Sequence, residues 1–108
     1  MTNQTIQPSV EFDPPLLHVI ARRISDHFAT KYSDAKRFPA FVAHARPYLD
    51  AMRTLDTCHD HYGFDSGESI VCYALSNLAS WRGEFARHTK SQLREHLARY
   101  AETQRSPF

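Results

Sequence analysis

Histidine and cysteine are the residues of this chain whose types could do chemistry. The chain has seven histidines and two cysteines, and their densest cluster is Cys58-His59-Asp60-His61. Zinc sites usually use recurring spacings such as C-x2-C or H-x3-H, and C-H-x-H is not one of them. A second half-site would have to come from Cys72, His44 or His88, with no spacing to support it. We therefore expect no bound metal and no cofactor.

Other candidate motifs lack a required part. Cys58 and His59 are adjacent, which does not by itself bring a thiol within hydrogen-bond reach of a base. A calcium loop counted from Asp56 would place Cys58 at position 3 and Gly67 at position 12, where oxygen ligands are needed. The segment from Gly63 to Gly67 has no Lys-Ser/Thr pair for phosphate. These gaps favour a protein that is not an enzyme, with a metal- or thiol-dependent enzyme as the third alternative.

Length and composition limit the class of protein. The chain of 108 residues is 42% hydrophobic and 12% aromatic and has a formal charge of +1. These values are typical of one globular domain with no strong net field. Two cysteines are too few for a disulfide scaffold, which favours a reduced, cytoplasmic protein. Residues 1–12 have no apolar leader, and the longest apolar run, Ile70 to Leu75, is too short for a membrane span.

Apolar spacing is helical almost throughout and predicts an all-α fold, a single compact domain of four to five helices. The predicted helices cover 13–32 with Asp13 as N-cap, 38–45, 47–55, 66–81 and 84–102. Pro47 predicts a break or a kink between the second and third. Residues 1–12 are expected to form a flexible N-terminal arm, 13–102 the helical domain, and 103–108 a frayed C-terminus.

The last two predicted helices differ in character. The helix at 66–81 has no charge between Ile70 and Trp81 and should be central and buried. Asp65 and Glu68 resemble a capping box at its start. In the last helix the apolar stripe is predicted to be Phe85, Thr89, Leu93, Leu97 and Tyr100. His96 and His27 should be hydrogen-bonded histidines at the edge of the core.

Charge is unevenly distributed and suggests two binding surfaces. Residues 55–78 have four acids and no Lys or Arg, whereas residues 79–108 have six basic and three acidic side chains. Loops and charged faces that the core does not need are where binding residues collect. The first candidate is the acidic loop, with Asp56, Asp60, His61 and Tyr62. The second, favoured candidate is the basic surface, with Arg87, Lys90 and Arg94, extended by Arg82. The alternative is a solvated face that balances the acidic loop.

The segment from Leu49 to Leu97 resembles small uncharacterised helical proteins carried by bacterial plasmids and prophages. Asp65-Ser66, Ser69-Ile70-Val71 and Ser80-Trp81-Arg82-Gly83-Glu84 carry the resemblance. It names no activity and transfers no catalytic residue. It implies a mobile-element setting, in which small proteins often bind host machinery, including defence complexes.

Together these features predict a non-enzymatic protein that binds a macromolecule. The expected partner is a protein or ribonucleoprotein with an acidic surface, so nucleic acid could be contacted. For a protein of a mobile element, the most specific form of this predicted function is inhibition of a host defence system such as a CRISPR effector. The alternative is a small DNA-binding regulator, in which the last two helices, joined through Gly83, form a helix-turn-helix.

Overall fold

The first helix, α1, spans Leu17–Lys31 in the computed structural model, which describes residues 13–33 and 38–105. It begins later than predicted, and Asp13 is not its N-cap. Pro15 disfavours the α conformation at the preceding Pro14, and Leu16 is extended, with φ −61° and ψ 153°. Helical spacing predicts an apolar stripe for α1 that runs from Leu16 to Tyr32, and this stripe is buried from Leu17 to Phe28. Its buried members are Leu17, Ile20, Ala21, Ile24 and Phe28.

The second helix, α2, spans Ala40–Met52 and contains Pro47. Of the two outcomes predicted at Pro47, a break or a kink, the break into two helices is therefore wrong. Proline removes one backbone donor and leaves the carbonyl one turn back without its helical partner. Here that carbonyl belongs to Ala43, which is exposed, so water can satisfy it. The buried face continues past the proline and holds the helix together. It comprises Val42, Ala45, Leu49, Ala51 and Met52.

A short antiparallel hairpin follows between residues 61 and 66, where the sequence predicts no strand. Strand β1, His61–Tyr62, pairs with β2, Asp65–Ser66. The loop between them is Gly63-Phe64, and Gly63 has φ +63°. Two-residue hairpin loops favour glycine first because the strand twist requires a positive φ there. The Gly-Phe pair is therefore the turn signal that the sequence analysis missed.

The third helix, α3, spans Gly67–Asn77 and directly follows Ser66. Ser66 is the N-cap, because its Oγ accepts a hydrogen bond from the Ser69 N–H at 3.1 Å. Of the acidic and hydroxyl N-caps that the sequence offers at 65 and 66, the structure has the hydroxyl one, and Ser69 stands where a capping box with Ser66 would have Glu or Gln. The predicted burial on all sides is also wrong, since Cys72, Tyr73 and Ser76 are exposed. Lack of charge does not imply burial when the side chains are small or carry a hydroxyl group.

The fourth helix, α4, spans Glu84–Gln104. It includes residues 103 and 104, which were predicted to be frayed; residues 1–12 and 106–108 lie outside the described part of the chain. The predicted apolar stripe needs a correction. Phe85 is 37% exposed, and Leu97 and Tyr100 are only partly buried. The buried face has small or polar members where it meets the other helices. It comprises Ala86, Thr89, Leu93 and His96.

The helices pack as a ring, since α1 and α3 each contact both α2 and α4. Leu78 and Trp81, which connect α3 to α4, are buried in the shared core as predicted. The structure confirms the predicted fold class for residues 13–33 and 38–105: one mostly α-helical domain with four helices. Within those residues, no helix is both long and apolar enough to cross a membrane.

Candidate interaction surfaces

The basic surface follows the first half of α4 and the connection before it. Arg87, Lys90 and Arg94 are spaced at i, i+3 and i+7, which places them along one flank of a helix. Both arginines are exposed and point away from the buried face, as predicted. Arg82 is exposed in the connection that leads into α4.

The charges around Lys90 indicate that side chains of the basic surface lie close together. Burial lowers the pKa of Lys90, and the positive charges of Arg94 and Arg82 lower that pKa further. Arg82 therefore belongs to the same cluster although it lies outside α4. Lys90 also has a structural role, because its Nζ donates a hydrogen bond to the Trp81 carbonyl oxygen at 2.7 Å. This bond fixes the connection between α3 and α4.

The basic surface has no direct anionic partner within the described residues. The arginine–carboxylate pairs in the described residues involve other arginines. Arg99 pairs with Asp13 and Glu95, and Arg105 pairs with Glu102. No carboxylate in residues 13–33 or 38–105 lies within 4.0 Å of Arg82, Arg87 or Arg94. The positive charge is therefore free to meet an acidic or phosphate-bearing partner.

Two acids of the predicted acidic loop have intramolecular partners. The Asp60 carboxylate accepts hydrogen bonds from the backbone N–H groups of Asp56, at 2.7 Å, and Thr57, at 3.2 Å. These bonds lower the pKa of Asp60 because they stabilise its charged form. The Asp56 carboxylate lies 3.6 Å from His18 Nε2. Asp60 thus stabilises the loop, whereas His61 and Tyr62 on β1 remain exposed.

The acidic loop and the basic surface lie at different ends of α4. His59, in the loop, is hydrogen-bonded through Nε2 to Thr103 Oγ1 at 3.0 Å and packs against the Tyr100 ring. A rise of 1.5 Å per residue puts Thr103 about 20 Å along the helix from Lys90. The acids of the loop therefore do not neutralise the basic surface by direct contact.

A pocket of about 210 Å³ collects several of the chemically capable side chains, including Cys58, His59, His96 and Arg99. Burial raises the pKa of Cys58 to about 12, so its thiol stays protonated at neutral pH. His96 Nε2 donates a hydrogen bond to the Pro15 carbonyl oxygen at 2.7 Å. Burial lowers the pKa of His96, which favours the neutral ring. At neutral pH the Cys58 thiol is therefore not a thiolate, and the His96 ring is neutral.

The two histidines expected at the core edge differ in their contacts. His96 is 6% exposed and hydrogen-bonded, as predicted. His27 instead packs its ring against Phe85, with the centroids 4.5 Å apart, and against Trp81. Burial and the charge of Lys31 lower the pKa of His27.

The structure does not bring the cysteine–histidine cluster together around one point. Cys58 is buried, whereas His59 and His61 are exposed. Within residues 13–33 and 38–105, no three His, Cys, Asp or Glu side chains are placed to hold a metal ion. We expect the purified protein to carry no stoichiometric zinc when measured by elemental analysis. One zinc per chain, with loss of helical circular dichroism after chelation, would contradict this prediction and make Cys58, His59 and His61 the first ligands to mutate.

Sequence reasoning also missed two features that the structure exposes. Phe64 lies at the tip of the hairpin and is fully exposed. Arg46 and Arg53 border a groove between α1 and α2. The only sequence signal for the exposed Phe64 was a bulky aromatic residue beside a turn glycine. The groove could not be predicted, because it forms only when two helices pack together.

Comparison of the chain with protein-family models, curated proteins and solved structures finds no match.

Proposed function

We propose that this protein is a non-enzymatic binding protein whose basic surface docks on an acidic face of a protein or ribonucleoprotein. The observation that supports this most directly is that Arg82, Arg87 and Arg94 are exposed and have no carboxylate within 4.0 Å in the described residues. Like charges brought together cost free energy in the isolated protein. A partner that supplies carboxylates or phosphates relieves that cost on binding.

The side chains of this surface suit such a partner. Arginine presents several donors in a rigid fork and forms paired hydrogen bonds with carboxylates and phosphates. Lys90 keeps the connection before α4 in place through Trp81, so Arg82 is held near the helix before binding. A preorganised surface loses less conformational freedom when it binds.

The resemblance to mobile-element proteins leads to the most specific form of this proposal, an inhibitor of a host defence complex such as a CRISPR effector. The basic surface covers an acidic or phosphate-bearing site of that complex. The alternative DNA-binding regulator has less support. The connection between α3 and α4, residues 78–83, is longer than the three- or four-residue turn of a helix-turn-helix. Glu84 also opens α4, where it would face phosphate.

The decisive variant reverses two charges. We expect Arg87→Glu with Arg94→Glu to leave the fold intact, since both side chains are exposed and make no ion pair in the described residues. Binding should weaken by about 30-fold or more, the factor that corresponds to a 2 kcal/mol hot spot. The partner is first captured from the native host, and its affinity for each variant is then measured, with circular dichroism as the check on folding.

A matched control is available on α1. Arg22→Glu with Arg23→Glu makes the same change of net charge at two exposed positions outside the basic surface. It should reduce binding only slightly, through the long-range field. If the Arg87/Arg94 variant folds and binds as tightly as the wild type, the basic surface is not the binding site and the acidic loop is the next surface to mutate. A steep fall in affinity for duplex DNA with added salt would instead favour the DNA-binding alternative.

A further inference from the structure

The hairpin tip exposes a large aromatic side chain that the fold does not use. Phe64 is 107% exposed, and Tyr62 on the adjoining strand is 48% exposed. Two-residue turns favour Gly, Asn, Asp and Ser because these residues suit the backbone conformation or hydrogen-bond to it. An exposed phenylalanine contributes no burial to folding. Aromatic side chains on fixed loops are common anchors of protein interfaces.

The base of the hairpin is firmly attached to the domain. The Gly67 N–H donates a hydrogen bond to the Asp60 carbonyl oxygen at 2.7 Å. The Asp60 side chain in turn binds two backbone N–H groups of the preceding turn, and Ser66 caps α3. The Phe64 ring is therefore presented on an ordered support, which reduces the entropy lost on docking.

A groove elsewhere on the same molecule has room for such a ring and is lined by both aromatic and charged side chains. It lies between α1 and α2, has a volume of about 460 Å³, and is lined in part by Phe28, Tyr32, Phe38 and Val42. Pockets that bind organic ligands begin at about 300 Å³ and are mainly apolar and aromatic. An aromatic side chain therefore fits the groove with room for flanking residues.

The charges around the hairpin and the groove are opposite. The hairpin lies in the segment 55–78, which has four acids and no Lys or Arg, and Asp65 is exposed directly beside Phe64. Arg46 and Arg53 line the groove together with Asp50, which leaves a net positive charge. Neither arginine lies within 4.0 Å of a carboxylate in the described residues.

We propose that the hairpin of one copy docks in the α1–α2 groove of a second copy, with Phe64 in the apolar floor and Asp65 beside Arg46 and Arg53. The proposal includes a reciprocal exchange, in which the hairpin of each copy enters the groove of the other, because a twofold dimer is the commonest closed arrangement of identical chains. None of these residues belongs to the basic surface, so an experiment that refutes the dimer does not refute the proposed function, and the reverse also holds.

The expected dimer is weak. A buried phenylalanine contributes about 150–250 Å², so two reciprocal rings supply well under the roughly 1,200 Å² of a stable interface. We therefore expect a Kd in the micromolar range. Sedimentation velocity from about 5 μM to about 1 mM covers that range. A wild-type protein that stays monomeric throughout would overturn the proposal.

Phe64→Ser tests the apolar anchor. Because the ring is fully exposed, the substitution should leave the melting temperature unchanged and raise the dimer Kd by about 10-fold or more. The matched control is Tyr73→Ser, which removes another exposed aromatic ring, 54% exposed, on α3. Equal dimerisation by the Phe64 variant and the wild type, or equal loss in the Tyr73 control, would rule the hairpin out as the anchor.

A charge exchange tests the pairing itself. Asp65→Lys should weaken self-association, and so should Arg46→Glu combined with Arg53→Glu, because each homodimer then faces like charges. Mixing the two variants should restore a dimer of near wild-type affinity, since both reciprocal contacts in the mixed dimer are again between opposite charges. A mixture that stays as monomeric as its components would overturn the pairing. The Arg87/Arg94 reversal serves as the independent control and should dimerise like the wild type.

Discussion

Leu78→Ala should be among the most destabilising single substitutions in this protein, lowering the free energy of unfolding by about 2–5 kcal/mol. Leu78 is 0% exposed and follows the last residue of α3. Its backbone N–H bonds to the carbonyl of Ala74, and its carbonyl accepts the Trp81 N–H. The side chain and the turn that leads to Trp81 are thus fixed together, which limits how far the core can collapse around the missing atoms.

The measurement is thermal unfolding followed by circular dichroism. For a domain of this size, each kcal/mol lost lowers Tm by about 4–8 °C, so a fall of at least about 8 °C is expected. Leu16→Ala is the matched control, because Leu16 is 43% exposed and also lies at the end of a helix. Its effect should be small. An unchanged Tm for the Leu78 variant would mean that the α3–α4 connection does not lie in the core.

Periodicity predicted the helices well where the buried face is formed by large aliphatic residues. In α1 the spacing of Leu17, Ile20, Ile24 and Phe28 identified the buried stripe correctly. In α4 it identified Thr89 and Leu93 correctly but missed Ala86 and placed the exposed Phe85 in the stripe. Ala86 is small, and only the shape of the neighbouring helices decides that it meets the core.

Proline positions were the main source of error in the helix boundaries. Pro14 suits the first turn of a helix, but Pro15 disfavours the α conformation at Pro14, Leu16 is extended, and the helix starts at Leu17. Pro47 was expected to cause a break or a kink, and α2 continues through it because packing on the opposite face outweighs the cost. The first result follows from the local sequence, whereas the second depends on tertiary contacts, which often override a propensity.

The candidate surfaces could be predicted only in part. Helical spacing correctly grouped Arg87, Lys90 and Arg94, and proximity in the chain suggested Arg82. The hydrogen bond from Lys90 to the Trp81 carbonyl could not be predicted, because it requires the geometry of the turn. The structural role of Asp60 was missed for the same reason. Spacing along one helix is periodic, whereas contacts between a side chain and a distant backbone follow no repeat.

Gly67→Ala should destabilise the protein although it lies in a helix, where alanine is normally preferred by about 1 kcal/mol. A Cβ at position 67 would lie 2.9 Å from each of three backbone atoms: the carbonyl oxygens of Thr57 and Asp60 and the Cα of Cys58. Backbone atoms cannot rotate aside as a side chain can. The substitution would also disturb the Gly67 N–H bond to Asp60, 2.7 Å long. We expect a net loss of about 1–3 kcal/mol, the usual cost of overpacking.

Gly63→Asn provides the contrast that isolates this steric effect. Gly63 has φ +63° and no heavy atom within 4 Å of a Cβ built on it, and asparagine tolerates that conformation better than most residues. It should therefore change Tm by much less than Gly67→Ala when both are followed by circular dichroism. The close approach at Gly67 joins the acidic loop to the start of α3, so its loss should also increase hydrogen exchange at the Gly67 and Ser69 amides. A stabilised Gly67→Ala variant would show that the loop can move away from the helix, and the hairpin would then lack the fixed base that the structure gives it.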